Sequence, residues 1–291
     1  MTPTYNRADL IARLYNSLVS QSNKNFIWIV IDDGSDDGTK GLIKKYIEQE
    51  KIEIRYFKKN NGGKAAALNF GFRNNEDIDF FAIVDSDDWL YENAIDTITE
   101  KAKKYEDEGC VGAVFFKYSD KDGNPLYDPS LNCLKEERCM TRYDHDYEFI
   151  KEDGCIGYFK RAVKKYKYPE FPPEKYVGPI VIQMMMAKDF KIAFTQNFVG
   201  CAEYQPGGIS RSGRGLRLKS PLGMITYCGL LQSERNKSKR SRLKYCIEAQ
   251  AYASVAKVSK RDLFENEIAP DYLKSWAKFP GMLLGIIWKR K

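Results

Sequence analysis

The first two-fifths of the chain alternate two hydrophobic periods. Leu10, Ile11, Leu14, Tyr15 and Leu18 recur at helical spacing behind Asn6, a candidate N-cap. Phe26 to Ile31 is a short, wholly apolar run, as in a strand covered on both faces of a parallel sheet. After the polar turn DDGSDDGT, a second amphipathic stretch passes through Leu42, Ile43, Tyr46 and Ile47. Ile52 to Phe57 then reads as a strand and Lys64 to Phe72 as a helix. Phe80 to Val84 predicts another buried strand that runs straight into an acidic cluster. A helix over about Glu92 to Tyr105 and a strand from Val111 to Phe116 complete the pattern. Such alternation predicts an α/β fold with a mostly parallel central sheet flanked by helices, its ligands beyond the carboxyl ends of the strands. Both Asp-rich segments fall at such ends.

The start departs from this pattern. Thr2-Pro3-Thr4-Tyr5-Asn6 reads as the exit of a first strand with only Met1 before it. Either that strand is missing or the start is placed late, and without it the sheet would lose a central member and expose unpaired edges. Beyond residue 120 the alternation loosens. Asp122-Gly123-Asn124-Pro125 signals a turn, Gly154 to Phe159 a strand, and Val177 to Ala187 a helix. The Met184-Met185-Met186 run within it reads as core filler. From Arg211 onward the chain turns basic (Arg211, Arg214, Arg217, Lys219, then Arg235 to Lys244). The apolar tail Phe279 to Trp288 lies between Lys278 and Lys289-Arg290-Lys291. It is too short to cross a bilayer, which takes about 20 residues. It reads as an interfacial anchor, with Trp288 and the basic residues at the headgroups, or as a terminal helix docked on the domain.

Composition narrows the chemistry. With 291 residues, 43% hydrophobic and 30% charged, the chain can bury a sizeable core. Its net charge of +7, from 47 Lys and Arg against 40 Asp and Glu, favours anionic partners: nucleotides, phospholipid surfaces, lipid pyrophosphates or nucleic acid. The single histidine, His145, reads as a solvated loop residue. A His-built zinc centre or a serine or cysteine triad would have to be assembled around it alone. A metal here is then a hard cation held by carboxylates and phosphate oxygens. Seven cysteines with no C-x-x-C pair read as reduced thiols in the cytoplasm.

Four motifs follow in order: TPTYNRA at 2–8, IDDGSDDGT at 31–39, NNGGKAAALNFG at 60–71 and VDSDDW at 84–89. In the last, three carboxylates leave an apolar strand within four positions. Unneutralised they would repel one another, and Mn²⁺ or Mg²⁺ would remove that penalty and let the cluster hold a diphosphate. Gly62-Gly63-Lys64 is not a P-loop, since Ala65 stands where Ser or Thr is required. As an ordered set on an α/β pattern, the motifs resemble family 2 glycosyltransferases, which have the GT-A fold. The resemblance covers about the first 120 residues well and the next 90 or so loosely.

The resemblance implies the following roles. Asp85 and Asp87 form the D-x-D pair of the metal site, Asp87 as the direct ligand and Asp85 closer to the ribose, with Ser86 lining the donor and Asp88 in support. Asp33 would accept from the nucleobase, which favours a UDP-sugar over a GDP-sugar. Pro3, Thr4 and Tyr5 would line the base pocket, Arg7 would reach a phosphate, and Lys64 with Asn69 would face the diphosphate. The Glu-Asp pair usual before a helix in the family is replaced by Glu174-Lys175, a form similar to a subset of bacterial capsule and exopolysaccharide transferases. Glu174 is the candidate base that deprotonates the acceptor hydroxyl, with Glu170 in reserve. The segment Glu203 to Arg211 resembles the same subset, and with Arg214 would close over the diphosphate. A Q-x-x-R-W box is absent, which implies transfer of a single sugar. The expected organisation is a glycosyltransferase domain over 1–210, with a nucleotide-sugar half (1–120) and an acceptor half (121–210), then a basic, helical extension over 211–291. The expected activity is inverting, metal-dependent transfer from a nucleotide-sugar to a lipid-linked saccharide. It would take place at an anionic membrane surface, peripheral to the inner face of the cell membrane, with no nucleic acid involved. A catalytically silent relative and a nucleic-acid-binding protein are the alternatives.

Overall fold

The computed structural model describes residues 1–150, 152–203, 213–233 and 238–289. The chain divides into two compact units, Met1–Lys167 with Met186–Gln205, and Tyr168–Met185 with Pro206–Lys291. Tyr168–Met185, expected in the acceptor half of the first domain, thus groups with the C-terminal helices.

In the first unit, β1 (Thr2–Thr4), β2 (Ile27–Asp32) and β3 (Glu53–Lys58) are parallel, ordered β1-β2-β3. They alternate with α1 (Ala8–Val19), α2 (Thr39–Glu48) and α3 (Lys64–Arg73). The predicted stripe of α1 is buried at Ile11, Leu14, Tyr15 and Leu18, and the Tyr15 ring stacks on Tyr46 at 3.6 Å. The rest of the unit runs β4 (Phe80–Ile83), β5 (Trp89–Leu90), α4 (Ala94–Glu106), β6 (Val111–Ser119), β7 (Arg138–Met140), α5 (Arg142–Glu148), β8 (Gly154–Phe159) and α6 (Lys160–Lys165). After α7 (Val181–Met186), β9 (Lys191–Cys201) completes a sheet of order β4-β8-β6-β9-β5, with β7 also on β9. The expected α/β fold is found. Its sheet is mixed: β6 runs parallel to β9, whereas β8, β5 and β7 pair antiparallel.

A first strand of three residues is present, at the place where the sequence reads a strand exit. Thr2, Pro3 and Thr4 pair with Val30, Ile31 and Asp32. Met1 joins the two sheets: its amino group donates to the Ala82 carbonyl at 2.6 Å, and its carbonyl accepts from Val84 N–H at 3.1 Å. Because β1 is only three residues long, it leaves Ile27, Trp28 and Ile29 of β2 without a partner on that side. A cavity of about 930 Å³ lies there, lined by these residues and by Phe80, Phe81 and Ala82 of β4. The unpaired edge is therefore half of a strand long.

Two other expectations change, and one buried charge is new. His145 is not a solvated loop residue: it sits in α5, 1% exposed, with its ring stacked on Phe194 at 4.0 Å. The helix expected from Val177 begins only at Val181, because the residue before Pro179 is barred from helical geometry. Strand β6 carries a charge into the core, where Lys117 pairs with Glu152 at 2.9 Å and donates to Gln196 at 2.7 Å. The seven cysteines are free.

The second unit adds α8 (Gly213–Leu218), α9 (Pro221–Ser233), α10 (Lys239–Ala256), α11 (Lys260–Glu265) and α12 (Lys278–Lys289). Its core gathers Met224, Ile225, Cys228, Ala249, Tyr252, Leu263 and Trp288. The helical, basic character expected of residues 211–291 is thus seen in the described part.

Candidate active site

The site is built at the carboxyl ends of β1, β2 and β4, where the chain leaves the sheet in polar turns. At the end of β2, Asp32 is fully buried. One of its oxygens accepts from Ser35 N–H at 2.7 Å and the other from the Tyr56 hydroxyl at 2.6 Å. Asp33 N–H donates to the Thr4 carbonyl at 2.8 Å, which continues the β1–β2 ladder into the loop. Gly34 follows at φ +90, where an added Cβ would stand 2.9 Å from Asn61 N, so glycine is required for both reasons. Asn6 is not the cap of α1. Its backbone N–H donates to the Ser35 hydroxyl and its side-chain oxygen accepts from Asp36 N–H, both at 2.9 Å. Asp37 takes the capping role twice, accepting from Ala8 N–H at the start of α1 and from Thr39 N–H at the start of α2. Burial would raise its carboxyl, but these bonds hold it below the ordinary value.

Asp33 is 3% exposed and points at the third motif. Its carboxylate accepts from Gly62 N–H at 3.0 Å, Gly63 N–H at 2.7 Å and the Lys59 ammonium at 2.8 Å. Gly62-Gly63 therefore cradles a carboxylate of its own chain, which the sequence reading did not foresee. Lys59 was missed as well, although its place one residue before the Asn60-Asn61-Gly62-Gly63 turn was visible. Gly63 turns the chain at φ +89 into α3, whose first residue, Lys64, reaches Asp85 at 2.5 Å. Burial alone would lower the Lys64 ammonium, but the charge and hydrogen bond of Asp85, with Asp88 and Asp87 nearby, hold it above its ordinary value.

The acidic turn itself follows β4, with Asp88 N–H closing on the Asp85 carbonyl at 3.1 Å. Burial first, then the charges of Asp85 and Asp87, push the Asp88 carboxyl up to about 8. Ser86 is buried between them. A second missed residue, Arg13 of α1, donates to the Asp87 carbonyl at 2.5 Å, pairs with Glu203 at 2.7 Å and lies 3.9 Å over the Trp89 ring. It falls on the polar side of the α1 stripe, where periodicity alone reads a solvated charge. Of the other predicted residues, Pro3 and Thr4 are buried in β1, Tyr5 is 47% exposed, Arg7 stands at the N-cap position of α1, and Asn69 is buried in α3.

Glu174 belongs to the second unit. Its two oxygens accept from Leu222 N–H at 2.9 Å and Gly223 N–H at 3.0 Å, at the start of α9. Burial raises its carboxyl despite these bonds. The Glu174 carboxylate thus meets the N-terminus of α9. The loop expected to close over the diphosphate falls on residues 204–212, outside the described residues.

Among the described residues no three Asp, Glu, His or Cys side chains converge as a ready-made metal cage. The acidic turn still fits a divalent cation. Its donors are hard oxygens, the carboxylates of Asp85, Asp87 and Asp88 within four residues. Such an ion would complete its shell with the oxygens of a diphosphate.

Comparisons with known proteins identify the family and the fold. The glycosyl transferase family 2 model matches residues 1–167. Glycosyltransferase GlyG of Streptococcus pneumoniae is 26% identical over 170 residues, 57% of this chain and 56% of that protein. An uncharacterised glycosyltransferase of Rickettsia typhi is 30% identical over 175 residues, 56% of this chain and 53% of that protein. The matched stretch thus spans about half the length of these two relatives, and 17% of the pneumococcal GlyA. Among solved structures, S. aureus TarS 1-349 in complex with UDP-GlcNAc superimposes with TM-score 0.61 at 17% identity, covering 99% of this chain and 90% of that one. The mannosyltransferase PcManGT of Pyrobaculum calidifontis, in complex with GDP-Man and Mn²⁺, gives 0.58 at 17% identity, covering 99% and 84%. These neighbours carry the same α/β architecture. The chain belongs to glycosyl transferase family 2.

Proposed function

We propose that this protein moves one sugar from a nucleotide-sugar, preferentially a UDP-sugar, to a lipid-linked saccharide acceptor of bacterial surface polysaccharide assembly, with inversion. The observation that carries the reading is the convergence of the four motifs. Asp33 grips Gly62 and Gly63, and Lys64 grips Asp85 at the head of a turn that also carries Asp87 and Asp88. In this reading Asp87, with Asp85, holds Mn²⁺ or Mg²⁺, and the ion supplies charge neutralisation for the departing diphosphate. Lys64 adds a second positive charge beside those phosphates. Pro3, Thr4 and Tyr5, with the exposed ring of Tyr5 packing on the base, line the nucleoside, while Ser86, Asn69 and Arg7 contribute polar contacts. Asp33 holds the loop that frames the base and offers an oxygen to it.

Glu174 is the proposed base, with Glu170 in reserve. Its burial-raised carboxyl is shifted in the direction that suits proton acceptance near neutral pH. The membrane-linked acceptor implies work at the inner face of the cell membrane. The test is turnover of UDP-, GDP- and dTDP-sugars with Mn²⁺, run beside the Asp87→Ala variant. UDP-sugar turnover that vanishes in the variant is expected; retention of full activity by Asp87→Ala would sink the assignment.

A further inference from the structure

Helix α12 divides its residues between two environments. Gly281, Gly285 and Trp288 recur at helical spacing and are buried. A Cβ at Gly281 would stand 2.4 Å from Gln250 Cβ and 2.9 Å from the Gln250 carbonyl carbon, so the two glycines let α12 lie directly on the α10 backbone. The Trp288 indole packs on Tyr252 at 4.8 Å, with the Arg214 guanidinium 5.1 Å above it. Trp288 is therefore committed to the core of its own unit and is not the headgroup anchor that the sequence suggested.

With the small residues inward, the large ones face out. Phe279 is 65% exposed, Met282 42%, Leu283 45%, Ile286 44% and Ile287 52%. They occupy positions i, i+3, i+4, i+7 and i+8, one continuous stripe. Trp276, 56% exposed, lies in the turn that leads into the helix. A contiguous face of this kind marks an interaction surface, whereas scattered apolar residues need no explanation. Its charge surroundings select the partner. Lys274 is paired with Asp271 at 3.1 Å, and from Ser275 to Lys291 the chain carries Lys278, Lys289, Arg290 and Lys291 and no acidic residue. No helix of the described residues is long and apolar enough to cross a membrane. An apolar stripe flanked by cations, on a helix of 12 residues, matches a surface that is greasy below and anionic above.

We propose that the Phe279–Ile287 face of α12 docks in the plane of an anionic lipid bilayer. This deepens the membrane placement proposed above and rests on it, with the attachment surface now assigned. The experiment is flotation of the full chain with mixed phosphatidylcholine–phosphatidylglycerol vesicles, without sugar donor, alongside a Leu283→Asp/Ile287→Asp double variant. Both sites are exposed, so an unchanged thermal unfolding midpoint verifies that the variant is folded. The wild type is expected to float with the mixed vesicles and to partition at least about tenfold less onto phosphatidylcholine alone. The double variant is expected to lose binding by about tenfold or more. Failure of the wild type to float, equal flotation of the variant, or equal binding to neutral vesicles would each overturn the proposal. So would wild-type self-association that the variant abolishes without any flotation, since the occupant would then be a second copy. Donor hydrolysis measured without vesicles reports on the catalytic reading separately.

Discussion

Replacing Asp33 by asparagine separates two roles that the sequence could not distinguish. A residue that only meets the nucleobase can be changed without loss of stability. In the structure, however, the Asp33 carboxylate is 3% exposed and accepts from two backbone amides and the Lys59 ammonium. An asparagine there would keep one acceptor oxygen and turn an amide NH₂ toward donors. Hydrogen bonds to a charged group are worth about 1.5–3 kcal/mol each and are not additive, so a net destabilisation of about 2–4 kcal/mol is expected. At about 2–4 °C per kcal/mol for a unit of this size, the midpoint of thermal unfolding should fall by roughly 4–16 °C. Lys59→Met removes only one of the three donors and should cost about 1 kcal/mol. The double variant should show a coupling of about 1 kcal/mol, since Lys59 has no carboxylate left to meet. The assay is calorimetric unfolding of the four proteins, with UDP titration on each. A shift below about 2 °C for Asp33→Asn, with UDP affinity nonetheless lost, would refute the clamp and leave Asp33 as a ligand contact alone.

Arg13→Met should leave the fold intact but loosen the acidic turn, weakening Mn²⁺-dependent donor binding by about tenfold in titration; unchanged affinity would reduce Arg13 to a surface ion pair. Glu174→Gln should lower kcat by about 10²–10⁴ with donor KM unchanged, whereas a loss below tenfold would move the base to Glu170. Glu137 reports acid stability: burial raises its carboxyl, but hydrogen bonds from Lys101, Lys104 and Tyr105 outweigh that and hold it at about 2. Its folded value lies below the unfolded one, so its contribution is complete above about pH 4.3 and disappears as pH falls toward about 2. Discounted for screening of a partly solvated group, wild type should lose about 1–2 kcal/mol more than Glu137→Gln between pH 5 and pH 2 in urea melts, and parallel curves would refute the linkage.

Periodicity made the helix–strand alternation of the first half legible, because α1, β2 and β4 each bury a face that their spacing announces. It missed β9 and placed His145 in solvent for one reason. The stretch Lys191 to Cys201 mixes Thr195, Gln196 and Asn197 into a central strand, and α5 hides a polar sequence against Phe194. There, long-range packing decides the environment, and local pattern carries no trace of it. The second unit was legible as helical and basic, but not as the place of Tyr168–Met185, since no composition shift marks Lys167 or Met186. In the candidate site the motifs identified the right turns. Their side chains proved harder to assign, because a carboxylate that holds a loop and one that holds a ligand are the same residue in sequence.

The balance of charge makes that distinction. The second motif carries four carboxylates, and three of them have intramolecular partners: Asp32 has Ser35 and Tyr56, Asp33 has Lys59 and two amides, and Asp37 has two helix N-termini. These acids stabilise the frame, and their charge is already matched by donors. The turn after β4 differs. Lys64 bonds to Asp85, but Arg13 directs its bonds to a backbone carbonyl and to Glu203, and Asp88 is driven to about 8 by its burial and its neighbours. A fold that gathers three carboxyls in one half-buried turn, with a direct ion pair to Asp85 alone, crowds acids that a divalent cation would relieve. The scarcity of bound donors, more than the acid count, is what separates Asp85-Ser86-Asp87-Asp88 from the segment at 32–37, which carries four acids.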